Sequence, residues 1–205
     1  MPIDLTPEED ALLESDNPAI KKSMELLVRL GDIYGAEEMV PIRSAQASGI
    51  SYKSIGDPGV EFLEGFADEG AEVRVQTFAN PAGMDIDRWQ EMGVDPEFAE
   101  KQTRILEALK TMGVVISFTC TPYLAGNLPR PNEHIAWAES SAVSFANSVI
   151  GARTNREGGP SALAAAITGR TPKYGLHLEE NRVPTHRIDV DVSLETHADF
   201  AALGS

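Results

Sequence analysis

Hydrophobic positions recur along this chain in two alternating rhythms. Ile20, Met24, Leu27 and Leu30 follow steps of three and four residues, which places them on one face of a helix. Asn17-Pro18 opens that helix and Gly35 is expected to end it. Upstream, Thr6-Pro7-Glu8-Glu9 reads as another helix start: a hydroxyl cap, proline at the first helical position, then acids. Residues 39–42 read as a short strand. Asp57-Pro58 begins a helix through Phe62, Leu63 and Phe66 to a stop near Gly70. Residues 73–78 alternate as a strand does and end at Asn80-Pro81. Asp95-Pro96-Glu97 starts a helix with Phe98, Ile105, Leu109 and Met112 on one side. After Gly113, a β-branched run over 114–120 predicts a strand that Pro122 stops, leaving the Cys120 thiol at its C-terminal tip. Residues 138–150 and 161–167 read as Ala- and Ser-rich helices, 187–192 as a late strand and 194–203 as a further helix. Residues 174–184 read as a loop.

Strands that alternate with helices imply an α/β fold with a mostly parallel sheet and right-handed crossovers. Polar stretches at 43–53, 80–85 and 120–130 each follow a strand. In a parallel sheet they emerge at one edge, where ligands bind. Ser44, Ser48, Ser51, Asn80 and Cys120 are therefore expected together. Residues 43–53 are small and polar and are expected to lie outside the core.

Composition narrows the function classes. The 205 residues carry a net charge of -15 with 17 basic side chains, which argues against nucleic acid and against an anionic membrane surface. Hydrophobic residues make up 42%, enough for a folded core. No apolar run approaches the roughly 20 residues that span a bilayer, and the first residues do not resemble a signal peptide. The cytoplasm is the expected compartment. One cysteine excludes an internal disulfide.

Each chemical candidate has a plainer alternative. A lone cysteine is more often a small buried hydrophobe. As a nucleophile, Cys120 needs a nearby His, and as an iron–sulfur ligand it needs further thiolates that this chain lacks. Glu139-Ser140-Ser141, at the start of an expected helix, reads equally as simple capping or as a carboxylate- or phosphate-binding nest. Arg153 and Arg156, between glycines in an acidic protein, suit either a solvated turn or an anionic substrate. His134, His177, His186 and His197 show no metal spacing and are expected on the surface or in loops. Trp89 and Trp137 are expected in the packing, and the acidic runs 8–10 and 189–191 in water.

Several segments in one order resemble the large subunit, or catalytic domain, of the aconitase X family. They are Val40-Pro-Ile-Arg-Ser-Ala-Gln-Ala-Ser-Gly-Ile-Ser-Tyr, Asn80-Pro-Ala-Gly-Met-Asp, Thr119-Cys-Thr-Pro-Tyr and Ile135-Ala-Trp-Ala-Glu-Ser-Ser-Ala-Val. The stretches from Phe145 to Leu163 and from Gly169 to His177 belong to the same set. The resemblance implies an aconitase-like α/β core, incomplete here, with residues 1–205 forming an N-terminal part of the catalytic domain. It implies a hydro-lyase that removes water from (R)-5-phosphomevalonate to give trans-anhydromevalonate 5-phosphate. Cis-3-hydroxy-L-proline dehydration is the alternative, and an inactive truncated fragment is a second. It also implies an iron–sulfur cluster held by three cysteines, 4Fe–4S ahead of 2Fe–2S, and a small-subunit partner. Carried over by motif, Cys120 is a cluster ligand, and Gly49, Ile50, Ser51, Asn80, Pro81, Glu139 and Ser140 contact a small anionic substrate. Its 5-phosphate gives Lys53, Arg153 or Arg156 a role. The chain departs from the family at two points. Gln46 stands where many members carry His, and a neutral amide cannot transfer protons. The family's large subunit is also about twice as long, with its other cluster cysteines in the part not present here.

Overall fold

The computed structural model describes residues 3–196, 199 and 203. Its centre is a four-stranded parallel sheet in the order β4-β3-β2-β5, from Val115–Ile116 (β4), Gln76–Asn80 (β3), Ser44–Ser48 (β2) and Ala136–Trp137 (β5). A separate antiparallel pair joins Met39–Pro41 (β1) to Arg170–Pro172 (β6). The helices are Pro7–Leu13 (α1), Pro18–Tyr34 (α2), Tyr52–Asp68 (α3), Pro96–Thr111 (α4), Ser140–Phe145 (α5) and Gly159–Thr168 (α6). The expected α/β class and parallel sheet are present.

The cap signals act as the sequence indicates. Thr6 caps α1 in a capping box with Glu9, Asn17 accepts two amides at the start of α2, and Asp95 does the same for α4. Gly35 ends α2 in the left-handed conformation. α3 is two pieces: the backbone breaks at Gly56 (φ 59°), and the main helix starts at Asp57-Pro58 as expected. α3 and α4 pack together, and Leu63, Phe66, Ile105, Leu109 and Met112 form one core with Ala47 and Ala79 of the sheet. α6 covers the same sheet face with alanines, and Ala164, Ala165 and Ala166 meet Ala45 and Ala136.

Several expectations are corrected. Residues 43–53 are not outside the core: they contain β2, an inner strand whose residues 44–47 are buried. The third strand starts at Gln76 rather than 73 and runs through Asn80. The strand expected over 114–120 ends at Ile116, because Phe118 adopts φ 49° and turns the chain four residues before Pro122. Residues 187–192 form no strand and are exposed. Five of the ten residues of the helix expected over 194–203 lie outside the described residues, His197 among them. The helix expected over 138–150 is α5 followed by a π-helical turn, Ala146–Ile150. The loop at 174–184 is present, folded into short 3-10 turns. Within the acidic run 8–10, Glu9 is buried, held by the Thr6 amide and by Arg170 Nε at 3.0 Å. Trp137 is fully buried, while Trp89 is partly exposed. No helix among the described residues is long and apolar enough to cross a membrane.

Candidate active site

Parallel registry assembles the site. Ser48 lies opposite Asn80 in the β2–β3 pair, so both side chains leave the same face at the carboxyl edge. β5 runs beside β2 and delivers Glu139 two residues past its end. The turn at Phe118, anchored by its amide to the Ala79 carbonyl at 3.2 Å, swings Cys120 back over β3.

Four side chains then meet. Asn80 Nδ2 donates to Cys120 Sγ at 3.3 Å and to Glu139 Oε2 at 3.0 Å. Ser48 Oγ donates to the same carboxylate oxygen at 2.9 Å. A single amide thus serves the two groups in the cluster able to carry negative charge. Glu139 does not cap its helix with its side chain, so the capping alternative for this residue does not hold. Cys120 is exposed rather than a buried hydrophobe.

The loop after β2 closes the edge. Gly49 takes φ 73°, and its amide donates to the Asn80 carbonyl at 3.1 Å. Ile50 and Ser51 are buried behind it, with Ser51 Oγ bonded to Ser54 Oγ at 3.1 Å. Pro81, joined to Asn80 by a cis bond, and Ser140 are exposed at the same rim. A Cβ on Gly83 would sit 3.1 Å from Ser51 Cβ, so the two loops touch. Ser44 does not join them. It lies at the far end of β2, about 13 Å away by strand rise, where its hydroxyl accepts from Trp137 Nε1 at 3.2 Å.

The cations are unequal. Arg153 is committed: its guanidinium binds Glu179, Asn132 and the His177 carbonyl. It is therefore withdrawn as a substrate-phosphate ligand. Lys53 and Arg156 are exposed.

Two further features have no counterpart in the sequence pattern. His177 is buried, not on the surface, and its Nδ1 meets His134 Nδ1 at 2.9 Å. Burial and the neighbouring His134, Arg153 and Arg182 push its pKa down to about 3. Glu157 is also buried, and desolvation raises its pKa while Ser161 Oγ donates to it at 2.7 Å. Neither shows in periodicity, because each lies in irregular backbone that is ordered by distant partners.

Cys120 is the only thiol, and the described residues contain no group of three His, Cys, Asp or Glu able to hold a metal. An exposed sulfur at the rim of a polar group of side chains is accessible to a metal, but these residues alone do not complete a metal site.

Residues 2–180 match the family model described as "Aconitase X first domain". The chain belongs to the aconitase X family. Within this family it is 63% identical over 191 residues to the phosphomevalonate dehydratase large subunit of Methanocaldococcus jannaschii, covering 93% of this chain and 47% of that protein. The same-named protein of Thermococcus kodakarensis is 55% identical over 201 residues, covering 98% and 50%. A cis-3-hydroxy-L-proline dehydratase of Pseudomonas aeruginosa is 39% identical over 184 residues, covering 89% and 31%. The crystal structure of Thermococcus kodakaraensis aconitase X, holo-form, has a TM-score of 0.89 at 55% identity and covers 98% of this chain and 50% of that one. This aconitase X chain therefore spans about half the length of the phosphomevalonate dehydratase large subunits it matches.

Proposed function

We propose that this chain is the N-terminal part of the large subunit of an iron–sulfur hydro-lyase. The completed enzyme removes water from (R)-5-phosphomevalonate to give trans-anhydromevalonate 5-phosphate, in a mevalonate pathway that supplies isoprenoids. The observation that carries this reading is the meeting of Cys120, Asn80, Glu139 and Ser48 at the carboxyl edge of the sheet, in a chain 43–63% identical to phosphomevalonate dehydratase large subunits. Relatives named cis-3-hydroxy-L-proline dehydratase are 33–39% identical, which makes that substrate the runner-up. The single cysteine favours a third reading for this polypeptide taken alone, a fragment without activity of its own.

In this proposal Cys120 is one ligand of the cluster, 4Fe–4S ahead of 2Fe–2S, and two further cysteines come from polypeptide beyond these residues. The bound cluster supplies a Lewis acid for the departing hydroxyl. The chain's own residues hold the substrate. Glu139 and Ser140 accept and donate to its hydroxyls, and Asn80 keeps the Glu139 carboxylate oriented. Gly49, Ile50, Ser51 and Pro81 shape the rim. Lys53 and Arg156 are the cations available to the 5-phosphate. A small subunit would complete the site, and the cytoplasm is the compartment. An apolar recess of about 280 Å³ adjoins the site through Ile50 and Gly159, but its lining is apolar throughout and cannot hold a phosphate.

The test is dehydration of mevalonate 5-phosphate by the enzyme assembled from this chain, its remaining half and the small subunit. Cys120→Ala is expected to abolish it. Full activity in that variant removes the ligand assignment, and an assembled enzyme that dehydrates only cis-3-hydroxy-L-proline overturns the substrate.

A further inference from the structure

Gln46 is fully buried at the middle of β2, between β3 and β5. A buried primary amide is costly unless its polar atoms are paired. Both ends of this one are used, and the partners belong to different loops. Its Oε1 accepts from the Glu139 amide at 3.2 Å. Its Nε2 donates to the carbonyl of Thr119, the residue before Cys120, at 3.4 Å. The Gln46 main-chain carbonyl adds a bond from the Ala138 amide at 3.1 Å. The side chain therefore spans the floor of the cluster, beneath Cys120 on one side and Glu139 on the other. Asn80 bridges the same two groups from above through their side chains. The segment carrying Cys120 needs such a tether, because regular strand pairing ends at Ile116.

We propose that Gln46 is a positioning residue: its carboxamide sets the distance between Cys120 and Glu139. This rests on the dehydratase reading for its functional consequence, but not for its geometric one. The chemistry needed is one donor and one acceptor at opposite ends of a flat group. A neutral imidazole has both, so histidine can replace glutamine here without any proton transfer. Methionine matches the length and offers neither. Asparagine is one methylene short and cannot reach both partners.

The test uses the fact that Cys120 is the only thiol of the chain. Its alkylation rate by iodoacetamide at a fixed pH reports on the Cys120 segment alone, with circular dichroism as the check on folding. Gln46→Met and Gln46→Asn are expected to change that rate by about fivefold or more, and Gln46→His to keep it within about twofold, as freeing or keeping both hydrogen bonds requires. In the assembled enzyme, the Met and Asn variants lower kcat on mevalonate 5-phosphate by about tenfold or more with KM nearly unchanged, since misplacing reacting groups costs rate rather than binding. If Gln46→Met does not fold, Gln46→Asn decides. Folded Met and Asn variants with wild-type alkylation overturn the proposal, as does a His variant that behaves like Met. If the wild-type assembly is inactive on mevalonate 5-phosphate, the dehydratase reading falls, while the alkylation series still decides Gln46.

Discussion

Gly159 has no side chain because there is no room for one. A Cβ there would lie 2.8 Å from Ile50 Cγ2 and 2.9 Å from the Ser48 carbonyl oxygen. The second neighbour is backbone and cannot swing away. Gly159→Ala is expected to displace the 48–50 loop and to cost about 1–3 kcal/mol, as overpacking does. Urea unfolding measures it, and an unchanged midpoint contradicts the close contact. The sequence marks Gly158-Gly159-Pro160 as a turn and nothing more, because the partner that forbids a side chain lies more than a hundred residues away. Cys120 and Asn80 were legible by contrast. Each follows a strand signal, and the carboxyl edge of a parallel sheet gathers such residues whatever their separation in sequence.

At the scale of elements, β2 shows where pattern reading stops. Ser-Ala-Gln-Ala-Ser has no large apolar side chain, yet it is an inner strand. Ala45 and Ala47 face the helices, where the alanines of α6 allow close approach. Ser44, Gln46 and Ser48 face the other way and are satisfied by Trp137, Thr119 and Glu139. Polar side chains can be core when each finds a partner, and no local signal reveals the partners. The turn Gly175–His177 carries a similar hidden constraint. His177 stays neutral when folded, with its pKa pushed down to about 3, while the unfolded chain protonates near the ordinary value of 6.5. Stability is therefore fully present above about pH 6.5 and falls by about 1.4 kcal/mol per pH unit on acidification towards pH 3. His177→Phe removes the titrating site. Between pH 7 and 5 it is expected to lose about 2 kcal/mol less stability than wild type. Urea unfolding at the two pH values checks this, and equal losses in both proteins sink it.

At the scale of the whole molecule, the proposed function makes the group of Cys120, Asn80, Glu139 and Ser48 one part of a larger site. A cluster needs several thiolates and this chain has one. The isolated chain, treated with iron and sulfide without oxygen, is expected to retain no stoichiometric iron after desalting. A brown, iron-loaded preparation of this chain alone contradicts that. Addition of the remaining half is expected to restore iron binding, and Cys120→Ala to prevent it.

The sequence by itself determined the capped starts of α1, α2 and α4, the alternation that makes the sheet parallel, the meeting of Asn80 and Cys120 at one sheet edge, and the family. These follow from caps, periodicity and motif order, all of which act between near neighbours or survive as linear strings. Only the tertiary structure decided that a polar stretch is an inner strand, that the chain turns at Phe118 rather than Pro122, and that Arg153 is bound to Glu179. It also decided that Gln46 ties Thr119 to Glu139. Each of these depends on a hydrogen bond or contact between residues distant in the chain, and packing alone brings such partners together.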